Sequence, residues 1–206
     1  GKPLCTLIVL HRCVPGRPLV VAANRDEFFA RPAEGPAIRE TRVGRILAPL
    51  DLEAGGTWLG LNERGVFVGL TNLRPDAVGK QPLEASALAR SDLRSRGDVV
   101  MAALEAHSAD RAAGVLAELE EEAYNPFQLL VADEREAWLT IYRDRPRTVA
   151  LEAGVHIVGN VEGAGHVEGG RVDATGSEES APATSEEPGA LKLTRVRQRV
   201  EKMMTE

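Results

Sequence analysis

Apolar residues run almost unbroken from Cys5 to His11 and again from Leu19 to Ala23, with Cys13-Val14-Pro15-Gly16 between them. Two β-branched, apolar runs around a Pro-Gly pair predict a β-hairpin. The first run, Thr6 to Leu10, is apolar at both phases of the alternation, as expected of a strand covered on both faces. The second ends in Asn24-Arg25-Asp26-Glu27 before turning apolar at Phe28-Phe29. Polar groups in that position are costly to bury unless each finds a partner. Pro and Gly between Arg31 and Pro36 predict a loop, and Ile38–Glu40 and Arg45–Ala48 predict short strands. Gly55 to Leu61 and Val66 to Asn72 flank the polar turn Asn62-Glu63-Arg64-Gly65, the clearest hairpin in the chain. Its second strand also delivers an amide, Asn72, at its end.

From Glu84 to Glu122 the composition shifts to Ala, Leu, Glu and Arg, which predicts helices. Ser95-Arg96-Gly97-Asp98 interrupts this stretch, and Asp98 is the expected N-cap of a helix reaching Ala106. A second helix, 110–121, is expected to bury Ala113, Leu116 and Ala117 and to leave Glu118, Glu120, Glu121 and Glu122 in solvent. Strands return at Phe127–Ala132, Ala137–Tyr142, Thr148–Leu151 and Val155–Val158, the last running into Gly159-Asn160. Residues 161–190, rich in Gly, Glu and Ser, are expected to form a flexible acidic insert. A basic amphipathic helix is expected over 191–205. Short connections between neighbouring strands imply antiparallel pairing. Helices gathered in blocks imply an α+β fold, with two antiparallel sheets and helices outside them, in one domain spanning 1–206.

Composition narrows the function classes. The 206 residues are 43% apolar and 27% charged with a net charge of −6, the balance of a soluble domain able to bury a core. Lys and Arg do not gather into a patch, so nucleic acid is not an expected partner. No apolar run approaches the ~20 residues of a membrane-spanning helix, and with no basic-then-apolar stretch among these residues no secretory signal is expected. Cys5 and Cys13 fit neither a disulfide framework nor a zinc spacing, so a cytoplasmic setting is expected. His11, His107, His156 and His166 show no ligand spacing, and no metal or cofactor is expected. There is no G-x-S-x-G, Walker or H-E-x-x-H signature.

Several short stretches nevertheless occur together in order. They are Cys5-Thr6-Leu7, Ala23-Asn24-Arg25-Asp26-Glu27-Phe28, Arg31-Pro32, Gly55-Gly56-Thr57-Trp58-Leu59-Gly60, Leu70-Thr71-Asn72 and Tyr124-Asn125-Pro126-Phe127. In combination they resemble the NRDE-motif family, also called the transport and Golgi organisation protein two-like family. That family is similar in turn to N-terminal nucleophile hydrolases of the choloylglycine hydrolase and penicillin V acylase branch. The resemblance implies a four-layer αββα fold with two antiparallel sheets. It implies a cysteine amidohydrolase acting on a small N-acyl or peptide-like amide, with Cys5 as nucleophile and Arg25 as the adjacent cation. Asp26 would hold the α-amine, and Asn72 and Asn160 would supply amides to the oxyanion and the amine. Asn24 could replace one of these amides, and Trp58 could wall the substrate pocket or simply pack in a strand. A further basic residue would be Lys192 or Arg195. The alternative that the resemblance carries is a non-catalytic carrier for a hydrophobic ligand such as an acyl lipid or haem.

The chemistry needs these residue types. A thiol attacks as thiolate; an α-amine, with a pKa of about 7.7–8.0, is a suitable base near neutral pH; a guanidinium favours the thiolate. Amide donors stabilise the oxyanion, each worth about 10²–10³ in rate. Gly1-Lys2-Pro3-Leu4 stands before Cys5, so the scheme requires either that those residues are removed or that they are not part of the natural start; a member that keeps them does not use this base.

Overall fold

The first hairpin forms as its pattern predicts: β1 (Thr6–Val14) and β2 (Arg17–Asn24) pair antiparallel around Pro15-Gly16, where Gly16 takes a positive φ of 71°. In this computed structural model, residues 5–25, 30–73 and 92–160 are described in full, and 164–168 by their backbone. β3 (Ala33–Thr41), β4 (Gly44–Asp51), β5 (Leu59–Asn62) and β6 (Phe67–Asn72) follow. Next come α1 (Arg96–Leu104) and α2 (Ala109–Ala117), then β7 (Phe127–Ala132), β8 (Ala137–Tyr142), β9 (Pro146–Leu151), β10 (Gly154–Val158) and β11 (Ala164–Glu168). They build a four-stranded sheet in the order β11-β10-β1-β2 and a seven-stranded meander from β3 to β9. Every strand pair is antiparallel, and the fold is α+β.

Alternation along the central strands of the large sheet feeds two cores. Phe67, Leu130 and Leu139 point toward the small sheet and meet Leu7, Val9 and Val158. Val68, Leu129 and Val131 point the other way, onto Val99, Val100 and Leu104 of α1 and Leu116 of α2. Among the described residues the layers are therefore helix, sheet, sheet. The helix expected over 191–205 falls outside the described residues. Tyr142 and Phe127 stack 5.0 Å apart in the helix-side core, with Tyr124 edge-on to both. Such rings contribute beyond their buried area.

Several elements differ from expectation. The second helix, expected over 110–121, ends at Ala117, and Ala117 is exposed rather than buried. The loop expected at 31–36 ends at Pro32, and Ala33 to Pro36 instead start β3. This is an edge strand, where the missing N–H of Pro36 costs no ladder bond, and its register shifts between Glu34 and Ala37. Ser95, not Asp98, caps α1: its side chain accepts from Gly97 N at 3.1 Å. β5 begins only at Leu59, because residues 52–58 turn around Asp51. Part of the expected flexible insert, Ala164–Glu168, pairs with β10 as β11; its other residues lie outside the described ones. The acidic run behaves as expected, with Glu118, Glu120, Glu121 and Glu122 exposed.

Two polar seams join the sheets at opposite ends. At one end the Gly159 carbonyl, just past β10, accepts from Thr71 Oγ1 and Gln128 Nε2, both at 2.9 Å. At the other, His11 Nε2 lies 3.2 Å from the Asp133 carbonyl. Buried polar groups in these positions each need a partner, so the seams fix how the sheets stack.

Candidate functional site

The register of the small sheet determines what surrounds Cys5. β1 and β2 end with Thr6 opposite Asn24, so Cys5 and Arg25 come next on the two strands. On its other side β1 pairs with β10, Leu7 opposite Val158; the same register carried two residues outward reaches Cys5 and Asn160. Leu7 and Val9 face the gap between the sheets, and Cys5 shares their phase in the strand. It stands at the mouth of that gap.

A cleft of about 580 Å³ opens there, lined by Cys5, Asn24, Arg25, Asp51, Trp58 and Asn72 among others. Its floor is aliphatic, from Leu7, Leu59 and Leu70. Gly69 sits beneath it because a Cβ there would come within 2.9 Å of Leu7 and 3.0 Å of the Phe67 ring. The opposite wall is the start of α1, Ser95 to Gly97. Here the backbone passes so close to Gly56 that a Cβ on Gly56 would lie 3.2 Å from Gly97 Cα.

Arg25 is held on two sides. Its guanidinium lies 4.0 Å from the centre of the Trp58 ring, a cation–π contact. Its Nη2 donates to Asp51 Oδ2 at 3.1 Å, and Arg31 Nε donates to the same oxygen at 2.9 Å. Asp51 Oδ1 accepts from the backbone N–H groups of Glu53 and Ala54 at 3.0 and 3.1 Å. Burial alone would favour the protonated acid; the two amides and Arg31 outweigh it and keep the carboxyl below the ordinary range. Trp58 is not a strand aromatic: it stands before β5 and forms a wall of the cleft.

Asn72 lines the cleft and Asn160 does not. Asn160 Nδ2 donates to the Asn72 carbonyl at 2.8 Å, which adds to the seam at Gly159, while its Oδ1 is buried and accepts no hydrogen bond. Asp26, Glu27, Gly1 to Leu4, Lys192 and Arg195 lie outside the described residues. His11 and His156 are buried along β1 and β10 and do not line the cleft. Among the described residues no group of three His, Cys, Asp or Glu is placed to hold a metal. Asp51 and Arg31 are new to the site. The only trace of Asp51 in the sequence is a carboxylate ending a strand just before Gly55-Gly56.

The chain that carries this cleft also matches a known family. The family model for Transport and Golgi organisation 2 matches residues 4–171. The chain belongs to the Transport and Golgi organisation 2 family. Its relatives include the Transport and Golgi organization protein 2 homolog of Bos taurus, 35% identical over 123 residues. The Homo sapiens homolog is 33% identical over 118 residues. Each match takes in 56% of this chain and 38% of the relative, so the chain spans well under half the length of the family members it matches. Among solved structures, penicillin V acylase from Agrobacterium tumefaciens superposes with a TM-score of 0.35 at 13% identity, over 72% of this chain and 41% of that one. A likeness that weak adds nothing to the geometry. No helix among the described residues of this family member is long and apolar enough to cross a membrane.

Proposed function

We propose that this chain is a cysteine amidohydrolase for a small N-acyl or peptide-like amide. The observation that carries the reading is that Cys5, Arg25 and Asn72, from three different strand ends, meet at one cleft. In this scheme the Cys5 sulfur attacks the amide carbonyl carbon, forming a C–S bond and an oxyanion that accepts from the Asn72 side chain. Collapse breaks the C–N bond, and the amine leaves with the proton first taken from the thiol. Water then hydrolyses the thioester, releasing the acid and restoring the thiol. The base is the α-amine of Cys5, exposed by cleavage after Leu4, and Arg25 favours the thiolate. Asp26 and the acceptor-only Oδ1 of Asn160, beside Cys5 in the sheet register, would orient that amine.

The aliphatic floor, Leu7, Leu59 and Leu70, suits an acyl chain and equally supports the second reading, a carrier of acyl or haem-like ligands. Turnover separates the two. Purified protein with a mature terminus at Cys5, established by intact mass, should release amine from a panel of N-acyl amides, and Cys5→Ala should not. Stoichiometric ligand binding with no release by either protein would establish the carrier and end the hydrolase proposal.

A further inference from the structure

We infer that Asp51 is the positioning residue of this cleft: it fixes the Arg25 guanidinium at the lip where Cys5 stands. The inference rests on the reading of Cys5 as nucleophile and Arg25 as its cation. Asp51 divides its two oxygens between two tasks. Oδ1 closes the 51–54 turn by accepting from Glu53 N and Ala54 N. Oδ2 takes Arg25 at 3.1 Å and Arg31 at 2.9 Å. The turn leads through Gly55-Gly56 to Trp58, whose ring lies 4.0 Å from the same guanidinium. One residue therefore sets both of these contacts of Arg25. The Asp51 carboxylate is 11% exposed and the Arg25 side chain 20% exposed, so the contact is only partly screened. Two guanidiniums share this carboxylate, and Glu53 Oε2 stands 3.9 Å from Arg31 Nε, so Arg31 is paired on both sides and Arg25 is the cation set beside the neighbouring thiol.

Position and charge make opposite predictions. If Asp51 acted only by its charge, removing it would leave more positive potential near Cys5 and speed the thiol's reactions. If it acts by holding Arg25 in place, removing it slows them. Asp51→Asn suits the test, because its amide oxygen can still accept from Glu53 and Ala54 while its NH₂ group turns both arginines away.

The experiment follows iodoacetamide alkylation of Cys5 against pH, by peptide mass spectrometry, in full-length Asp51→Asn, Arg25→Ala and the double variant. All carry Trp138→Phe, so that emission reports Trp58. We expect Asp51→Asn to move the midpoint of the rate profile to higher pH and to slow alkylation at pH 7 by about threefold to tenfold, as for loss of a partly screened cation. Trp58 emission should move toward that of Arg25→Ala, and the double variant should react no more slowly than Arg25→Ala alone. Faster alkylation by Asp51→Asn, or effects that multiply in the double variant, would overturn the inference while leaving Arg25 in its role. An unchanged profile in Arg25→Ala would instead remove the nucleophile–cation reading beneath it. If Asp51→Asn does not fold by circular dichroism, Asp51→Glu carries the test. That variant keeps the charge but displaces the guanidinium, so a raised midpoint is expected and a wild-type midpoint overturns the inference.

Discussion

Asn62 fixes the helix whose first turn walls the cleft, and removing it should be felt throughout the domain. The residue ends β5 and is 5% exposed. Its Nδ2 donates to the carbonyls of Leu104 and Ala106, at 3.0 and 2.8 Å, where α1 ends. Its Oδ1 accepts from the N–H groups of Arg64 and Val66, both at 3.0 Å, which shapes the turn into β6. Asn62→Ala strands one buried carbonyl and one buried N–H, each costing about 1–3 kcal/mol, and loses two half-exposed bonds worth about 0.5–1 kcal/mol each. With partial rehydration the loss should be about 3–5 kcal/mol, a large share of a typical domain's stability. Urea unfolding followed by circular dichroism should show it as a lower midpoint at unchanged slope. Asn62→Asp sharpens the test. It keeps the acceptor but sets a carboxylate oxygen against two carbonyls, which raises the acid's folded-state pKa. Protonation then restores a donor, so this variant should gain stability relative to wild type as pH falls and lose it as pH rises through that raised value. A loss below about 1 kcal/mol for Asn62→Ala, with no such pH trend for Asn62→Asp, would refute the role given to these four bonds.

Other consequences can be measured separately. Burial holds the His11 imidazole below its ordinary pKa, so the native state keeps it neutral while the unfolded chain takes up a proton. Stability should therefore be intact above about pH 6.5 and fall as pH drops from there toward the lowered native value. His11→Leu should flatten that part of a stability–pH curve, and an unchanged slope would contradict it. The Tyr142 hydroxyl donates to the Glu120 carbonyl at 2.7 Å and accepts from Ala123 N at 2.9 Å. Tyr142→Phe keeps the stack on Phe127 and should cost about 1–2 kcal/mol in the same urea assay; no loss would mean that water replaces both partners.

The parts of the fold that declare themselves locally were legible in the chain. Pro15-Gly16 and the polar turn before Val66 announced their hairpins, and the run from Phe127 to Leu151 announced a meander, because turn chemistry and alternation are short-range signals; Val155–Val158, expected to continue it, crosses instead to the small sheet and pairs with β1. The first hairpin also brought Cys5 beside Arg25. What stayed hidden depends on distant partners. Pro36 and Gly35 suggested a loop, yet an edge strand accepts a proline on its open side. Ala164–Glu168 looks polar and Gly-rich, and becomes a strand because β10 supplies a ladder for it. Ser95 caps α1 although Asp98 has the stronger charge, because the chain already enters the helix at Arg96. Asp51 is the clearest example. Its two arginines are 26 and 20 residues away, and nothing in the spacing of the three residues says that they meet.

The claim that everything functional depends on is that the Cys5 thiol is the activated one. Cys13, at the end of β1, is pushed by burial toward the protonated thiol. Substoichiometric iodoacetamide at pH 7, read by peptide mapping, compares the two cysteines within one molecule. Cys5 should be alkylated at least about tenfold faster than Cys13, and Arg25→Ala should erase most of the difference. Equal rates at the two thiols, unmoved by Arg25→Ala, would contradict it.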